Sequence, residues 1–265
     1  MKRSTATALV AILLPAFISA CGGGGGGGNQ VSATPSPPPP PPPAAAAEGV
    51  FGGELIGSTS SEFQVLILEN GDVWSLYGQD NGSIFYVDGF VQGNGTWSGE
   101  SFTSNNVKDF GFYPAISGTL ASTYSGATKT ISGTVTNSLG SVQFSGSPIP
   151  DSLYDYDTAA SLGAIAGHWD TLGTSGGSIS VDITASGVLT VSEGGCSGSG
   201  SIAPRPSGKN VFNVTLTFGL APCVLPNQTV TGVAIVYPLT TGQDQLIGAM
   251  TDSARTVGIA VFGIR

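Results

Sequence analysis

Charge is scarce in this chain of 265 residues: Asp, Glu, Lys and Arg together make up 9% of it, about a third of the usual share in a soluble domain. The little there is leans acidic, 17 Asp and Glu against 8 Lys and Arg, and an acidic surface excludes a nucleic acid as the partner. Histidine occurs once and cysteine three times, too few and too scattered for a zinc ligand set, so no metal is expected. Long apolar runs are missing as well. The only sustained one, Ala8 to Ala20, carries Pro15 and is shorter than the roughly 20 residues of a membrane-spanning helix. Beyond it no segment keeps a 3.6-residue apolar period, which argues against helices. A Gly-x-Ser-x-Gly elbow with a later acid and histidine is absent, and no lysine stands where a phosphate loop needs one, so neither chemistry is expected.

What is present begins at the N-terminus. Lys2 and Arg3 precede the short apolar stretch, the arrangement of an export signal. Ile18-Ser19-Ala20-Cys21 resembles the lipobox of bacterial lipoproteins. The resemblance implies a signal peptide over residues 1–20, cleavage before Cys21, and lipid on that cysteine; several acyl chains together hold firmly where one binds marginally. Gly22 follows, not the aspartate that resembles an inner-membrane retention signal, so the implied site is the outer membrane, facing either the cell surface or the periplasm. Residues 21–47 form a tether, with glycines to Gly28, prolines from Pro37 to Pro43 and alanines to Ala47. Glycines swivel, whereas a proline run stays extended and pushes the next module outward. Glycines directly after the cysteine also resemble the start of surface-exposed Gram-negative lipoproteins, including transferrin-binding and factor-H-binding types.

With Cys21 assigned to lipid, Cys196 and Cys223 remain, and outside the cytoplasm two cysteines are expected to bond. The rest of the chain reads as strands. Phe63 to Leu68 and Val73 to Tyr77 flank Asn70-Gly71, the form of a hairpin. Further strands are predicted at 83–87, 96–102, 115–122, 130–136 and 141–145, then at 178–184, 188–191, 200–203, 211–218, 229–237, 245–250 and 256–262. The turn-rich stretch from Ser147 to Ser152 marks a boundary, so residues 48–150 form one β-rich unit, 151–164 a linker and 165–265 a second. Val50 to Gly53 with Asn70-Gly71 has a counterpart in Ile165 to His168 with Ser186-Gly187, a degenerate repeat. The expected fold is all-β and antiparallel: either two related small barrels or sandwiches, or one closed sheet made of two related halves. Closure matters because short uncharged strands otherwise expose edges that aggregate.

Candidates for chemistry are few. His168 stands beside Asp170, a pair that could supply a general base. In an extended strand the two share one face while Trp169 takes the other, which describes an ordinary first strand equally well. Asp151, Asp155 and Asp157 could offer oxygens to calcium, but the glycine and terminal glutamate of an EF-hand loop are missing. Ser197 and Ser199 lie among glycines and follow His168, without a triad order. No catalytic residue and no cofactor is therefore assigned. Aromatic residues concentrate in the first unit, mostly as core. The exception is the segment Asn105 to Tyr113, which follows an expected turn at Ser104-Asn105-Asn106 and offers Phe110, Phe112 and Tyr113 as partner-facing residues. The functional expectation is an outer-membrane-anchored lipoprotein that binds an unidentified protein or glycan and is not an enzyme. The alternatives are an envelope-assembly role, or a hydrolase or its inhibitor.

Overall fold

Alternation of apolar and hydroxyl side chains, punctuated by glycine turns, gives a strand-built molecule. The computed structural model describes residues 47–265 apart from Ser83 and Asp151. The lipobox, Cys21 and most of the tether lie outside the described residues. The first set of strands is β1 (Gly49–Ile56), β2 (Glu62–Ile67), β3 (Asp72–Asp80), β4 (Phe85–Asn94), β5 (Thr96–Ser98), β6 (Ser101–Asp109), β7 (Ile116–Ser125), β8 (Thr130–Asn137) and β9 (Gly140–Pro148). A short helix, α1 (Leu162–Ile165), precedes the second set. That set is β10 (Gly167–Gly173), β11 (Ser178–Ile183), β12 (Val188–Glu193), β13 (Cys196–Pro204), β14 (Phe212–Phe218), β15 (Thr229–Pro238), β16 (Asp244–Asp252) and β17 (Gly258–Ile264).

Both sets close into antiparallel barrels. In the first, β1 pairs with β2 and β9, the order runs β4-β3-β2-β1-β9-β8-β7-β6, and β4 returns to β6. That seam is short, Val91 opposite Asp109 and Gln92 opposite Lys108. In the second, each strand neighbours the next and β17 returns to β10, over the four pairs from Asp170↔Ile264 to Gly173↔Val261. The all-β expectation of two related barrels is what forms, not sandwiches and not one continuous sheet. Equivalent turns mark the relation. Gly71 between β2 and β3 has φ +81° and Gly187 between β11 and β12 has φ +80°, a conformation that glycine adopts without steric cost.

Two local expectations are corrected. The strand predicted over 96–102 is β5, a tight turn and the start of β6, with Trp97 opposite Phe102. The turn predicted at Ser104-Asn105-Asn106 is a bulge inside β6, where the register to β7 shifts between Ser104 and Val107. A bulge leaves backbone groups unpaired. Here the Ser104 hydroxyl donates to the Asn94 carbonyl at 2.7 Å, and the Asn106 side chain accepts from the Asn94 N–H at 2.9 Å.

Alternation also distributes the core. Phe63, Val65, Val73 and Leu120 fill the first barrel, and Val181, Leu189, Val214 and Leu246 fill the second. A third cluster lies between the barrels, where Leu66, Trp74, Leu76 and Phe90 pack with Val233, Ile235, Ile247 and Phe262. Strands buried on both faces read as continuous apolar runs, such as Leu66-Ile67-Leu68. Away from that contact the outer faces carry exposed hydroxyls and amides, among them Thr190, Ser199, Asn213 and Thr215. Apolar inside and polar outside is the inverse of a transmembrane barrel.

The turn between β16 and β17 locks the barrels together at the weak seam of the first. The Arg255 guanidinium donates to the carbonyls of Gln92 on β4 (2.6 Å) and Asn106 on β6 (2.7 Å), spanning the two seam strands. Lys108 donates back to the Arg255 carbonyl at 2.6 Å. A Cβ on Gly258 would come within 2.5 Å of the Phe90 and Phe110 rings, so β17 reaches these rings because residue 258 has no side chain.

Candidate functional site

Each barrel is a cup, stoppered at one end and open at the other. The closed end of the second barrel is built by α1 and β10. Ser161 caps the helix through the Gly163 N–H, and Ile165 is fully buried. Trp169 points inward from β10 with no exposure and donates its indole N–H to the Ile165 carbonyl at 2.8 Å. The Arg265 guanidinium lies 4.2 Å over the Trp169 ring and donates to the carbonyls of Ala164 and Ala166. A cation on an aromatic face that also satisfies helix-end carbonyls seals this end.

The opposite end is formed by the β10–β11, β12–β13, β14–β15 and β16–β17 turns. The Cys196–Cys223 disulfide joins β13 to the β14–β15 loop there, the pairing expected from the cysteine count. Within lies a cavity of about 680 Å³ walled by Val181, Ile183, Leu189, Ile202 and Leu216. The loop after β6 reaches its mouth, so Phe112 and Tyr113 line the same cavity as Val224 from the β14–β15 loop.

Of the three aromatics singled out in the sequence, the structure separates one from the others. Phe110 is buried, stacked on Phe90 with ring centroids 4.8 Å apart, and lines the cavity from beneath its rim. Phe112 is 46% exposed and Tyr113 84% exposed at the rim. Val224 (85%) and Leu220 (72%) are also exposed, and sequence reasoning passed over both. The available signal was an apolar stretch from Leu220 to Leu225 around Cys223, within a loop that must be exposed to join two strands.

The first barrel is stoppered by aromatic rings. Phe51 meets Tyr124 at 5.9 Å, and Trp97 meets Phe102 at 5.0 Å and Tyr124 at 6.5 Å between centroids. At the other end the loops after β1, β6 and β8 surround a cavity of about 360 Å³, walled by Phe63, Val65, Ile67, Leu120 and Ile131. Its lining includes Phe112, which therefore stands at both mouths, and the hydrogen-bonded pair of Tyr77 and Asp109.

The remaining candidates are placed outside both cups. His168 is on the outer face of β10, its Nδ1 2.9 Å from Asp182 on β11 and its Nε2 3.4 Å from Asp170. The hydrogen bond to Asp182 holds its pKa above the ordinary 6.5, Asp170 adding to the effect. Asp155 accepts from the Asp157 N–H, and Asp157 pairs with Lys209 at 2.8 Å. Among the described residues no three His, Cys, Asp or Glu side chains gather as a metal site, and no helix is long and apolar enough to cross a membrane.

No protein-family model matches the chain, and no curated protein matches it. Solved structures do. Isotype 1 transferrin binding protein B from serogroup B Neisseria meningitidis is 10% identical with a TM-score of 0.25, the match covering 77% of this chain and 65% of that one. This chain thus spans less than two thirds of that protein's length. A mutant of transferrin binding protein B from Haemophilus parasuis is 8% identical with a TM-score of 0.26, over 84% of this chain and 77% of that one. A protein of unknown function of the DUF3598 family from Nostoc punctiforme is 10% identical with a TM-score of 0.25, over 82% of this chain and 94% of that one. Likenesses this slight assign no activity or partner to this chain.

Proposed function

We propose that this chain is a non-catalytic binding protein, held at the outer membrane by lipid on Cys21, that takes a protein partner at the open end of the second barrel. The observation that carries the reading is the rim: Tyr113 and Val224 stand 84% and 85% exposed beside Phe112, around one apolar mouth. Soluble surfaces rarely gather apolar side chains this way unless something covers them. The mount is rigid, because Phe110 is locked beneath the rim and the disulfide braces the opposing loop. A partner engaging such a surface loses little conformational entropy from this side. The anchor rests on the lipobox sequence, and its contribution is local concentration.

A photocrosslinking residue in place of Tyr113, in the full chain on intact cells, tests the site. The expected result is one discrete adduct that is absent when the same group replaces Lys129, in the β7–β8 turn at the far end of the first barrel. No adduct at 113, or equal adducts at both positions, overturns the reading. The anchor is tested separately: a labelled fatty acid should enter the wild-type chain and not Cys21→Ser, and an unlabelled wild type removes it.

A further inference from the structure

The first barrel encloses a second site that the partner reading does not use. We propose that its interior is a receptor for a hydrophobic amine, a molecule whose apolar body fills the barrel and whose single ammonium group meets Asp109 at the mouth.

Size comes first. A cavity of about 360 Å³ lies within the range of roughly 300–1,000 Å³ typical of small-molecule sites. An apolar cavity of about 150 Å³ accepts benzene, so this one accommodates an apolar body of about a dozen carbon atoms. Phe63, Val65, Ile67 and Leu120 present hydrocarbon to it, and the aromatic stopper closes the far end. The occupant therefore enters body first and leaves its polar end at the loops after β1, β6 and β8.

Asp109 sets the chemistry of that polar end. One of its oxygens, Oδ1, accepts from the Tyr77 hydroxyl at 2.7 Å and from the Gly111 N–H at 3.0 Å, which fixes the carboxylate in place. The other, Oδ2, makes no hydrogen bond to a described residue. Burial, with the charges of Asp109 and Asp88, keeps the Tyr77 hydroxyl protonated far above neutrality, so it stays a donor. The arrangement is closely fitted, since a Cβ at Gly111 would strike the Tyr77 hydroxyl. Among the described residues no lysine, arginine or histidine lines the cavity. Asp88, held by the Ser60 hydroxyl at 2.8 Å, adds a second negative charge near Tyr77. Ser75 and Ser122 contribute neutral hydroxyls only. An ammonium is therefore attracted, a carboxylate is repelled and an alcohol gains one ordinary hydrogen bond.

Titration calorimetry on residues 21–265 carrying Cys21→Ser, which has neither the apolar signal segment nor an acylated end, decides among them. The probes are dodecylamine and dodecanoate, each below its micelle-forming concentration, and 1-dodecanol below its solubility limit. The expected result is one dodecylamine per chain, bound at least about tenfold more tightly than dodecanol, with dodecanoate weakest. Asp109→Asn should bring the amine to the level of the alcohol, and Leu120→Trp, which fills the barrel, should abolish both. Should Leu120→Trp melt before the measurement, Ser75→Leu fills the same space from β3 and reads the same loss. Absence of amine binding, dodecanoate binding as well as the amine, an amine preference that survives Asp109→Asn, or binding that survives a filled barrel each overturns the proposal.

Discussion

The two barrels share a topology and differ in how they are held shut. The second closes along four residue pairs between β10 and β17, and is sealed at one end by α1, Trp169 and Arg265 and stapled at the other by Cys196–Cys223. The first closes along two residue pairs between β4 and β6, with a bulge in β6 and no disulfide of its own. Its missing seam contacts come from its neighbour, as Arg255 bonds to both seam strands and Gly258 admits the Phe90 and Phe110 rings. The difference teaches that the second barrel closes its own seam, whereas the seam of the first is completed by its neighbour, through a turn that also lies beside the shared rim.

The largest effect should come from ending the chain at residue 255. Loss of β17 opens the second barrel and removes Gly258 from the first, so no cooperative melt should remain. A truncated chain that still melts in one sharp transition would break the comparison. Next is the disulfide. Replacing Cys196 and Cys223 with serine frees a loop of 27 residues, which should destabilise by about 3.5 kcal/mol on chain-entropy grounds. Faster hydrogen exchange should be confined to β12–β15 and leave the first barrel protected. Arg255→Ala should act the other way round. Two charge-assisted hydrogen bonds are lost at the seam, a cost of about 2–3 kcal/mol, with exchange rising in β4 and β6 while the second barrel is spared. Gly258→Ala forces a methyl group against two buried rings and should cost about 1–2 kcal/mol, read as a lower melting temperature. The smallest effect belongs to His168. Its pKa is raised in the folded chain, first by Asp182 and then by Asp170. The stability it adds is therefore full below its ordinary pKa of 6.5 and lost as pH rises through the folded value. Its NMR midpoint should lie above 6.5 and fall in Asp182→Asn; a midpoint at or below 6.5 would sink that assignment.

Strands and turns were legible wherever glycine or Asn-Gly punctuated an apolar alternation, as at Asn70-Gly71. They were misread where the chain stayed in the sheet despite a polar run. Ser104-Asn105-Asn106 has turn composition, yet it is a bulge because the sheet on both sides supplies partners that a local reading does not see. The burial of Phe110 was not legible for a related reason. Its burial depends on the absence of a side chain at Gly258, 148 positions further along, and on a ring in β4. Tyr113 was singled out with its neighbours because the segment follows the polar run Ser104-Asn105-Asn106, whereas Val224 was passed over because nothing local marks it as exposed until the loop around Cys223 is placed.

By itself the sequence determined that the described chain is antiparallel β, where most of its turns fall and which two cysteines were free to pair. These are local properties, set by side-chain period, backbone freedom at glycine and the arithmetic of three thiols. Only the tertiary structure decided which strands close each barrel, which apolar faces look inward and which meet the other barrel, and that Arg255 completes a seam it does not belong to. The physical reason is that a strand buried on both faces carries no mark of which core each face joins. Closure and the two open cups exist only once strands distant in the chain are hydrogen-bonded side by side.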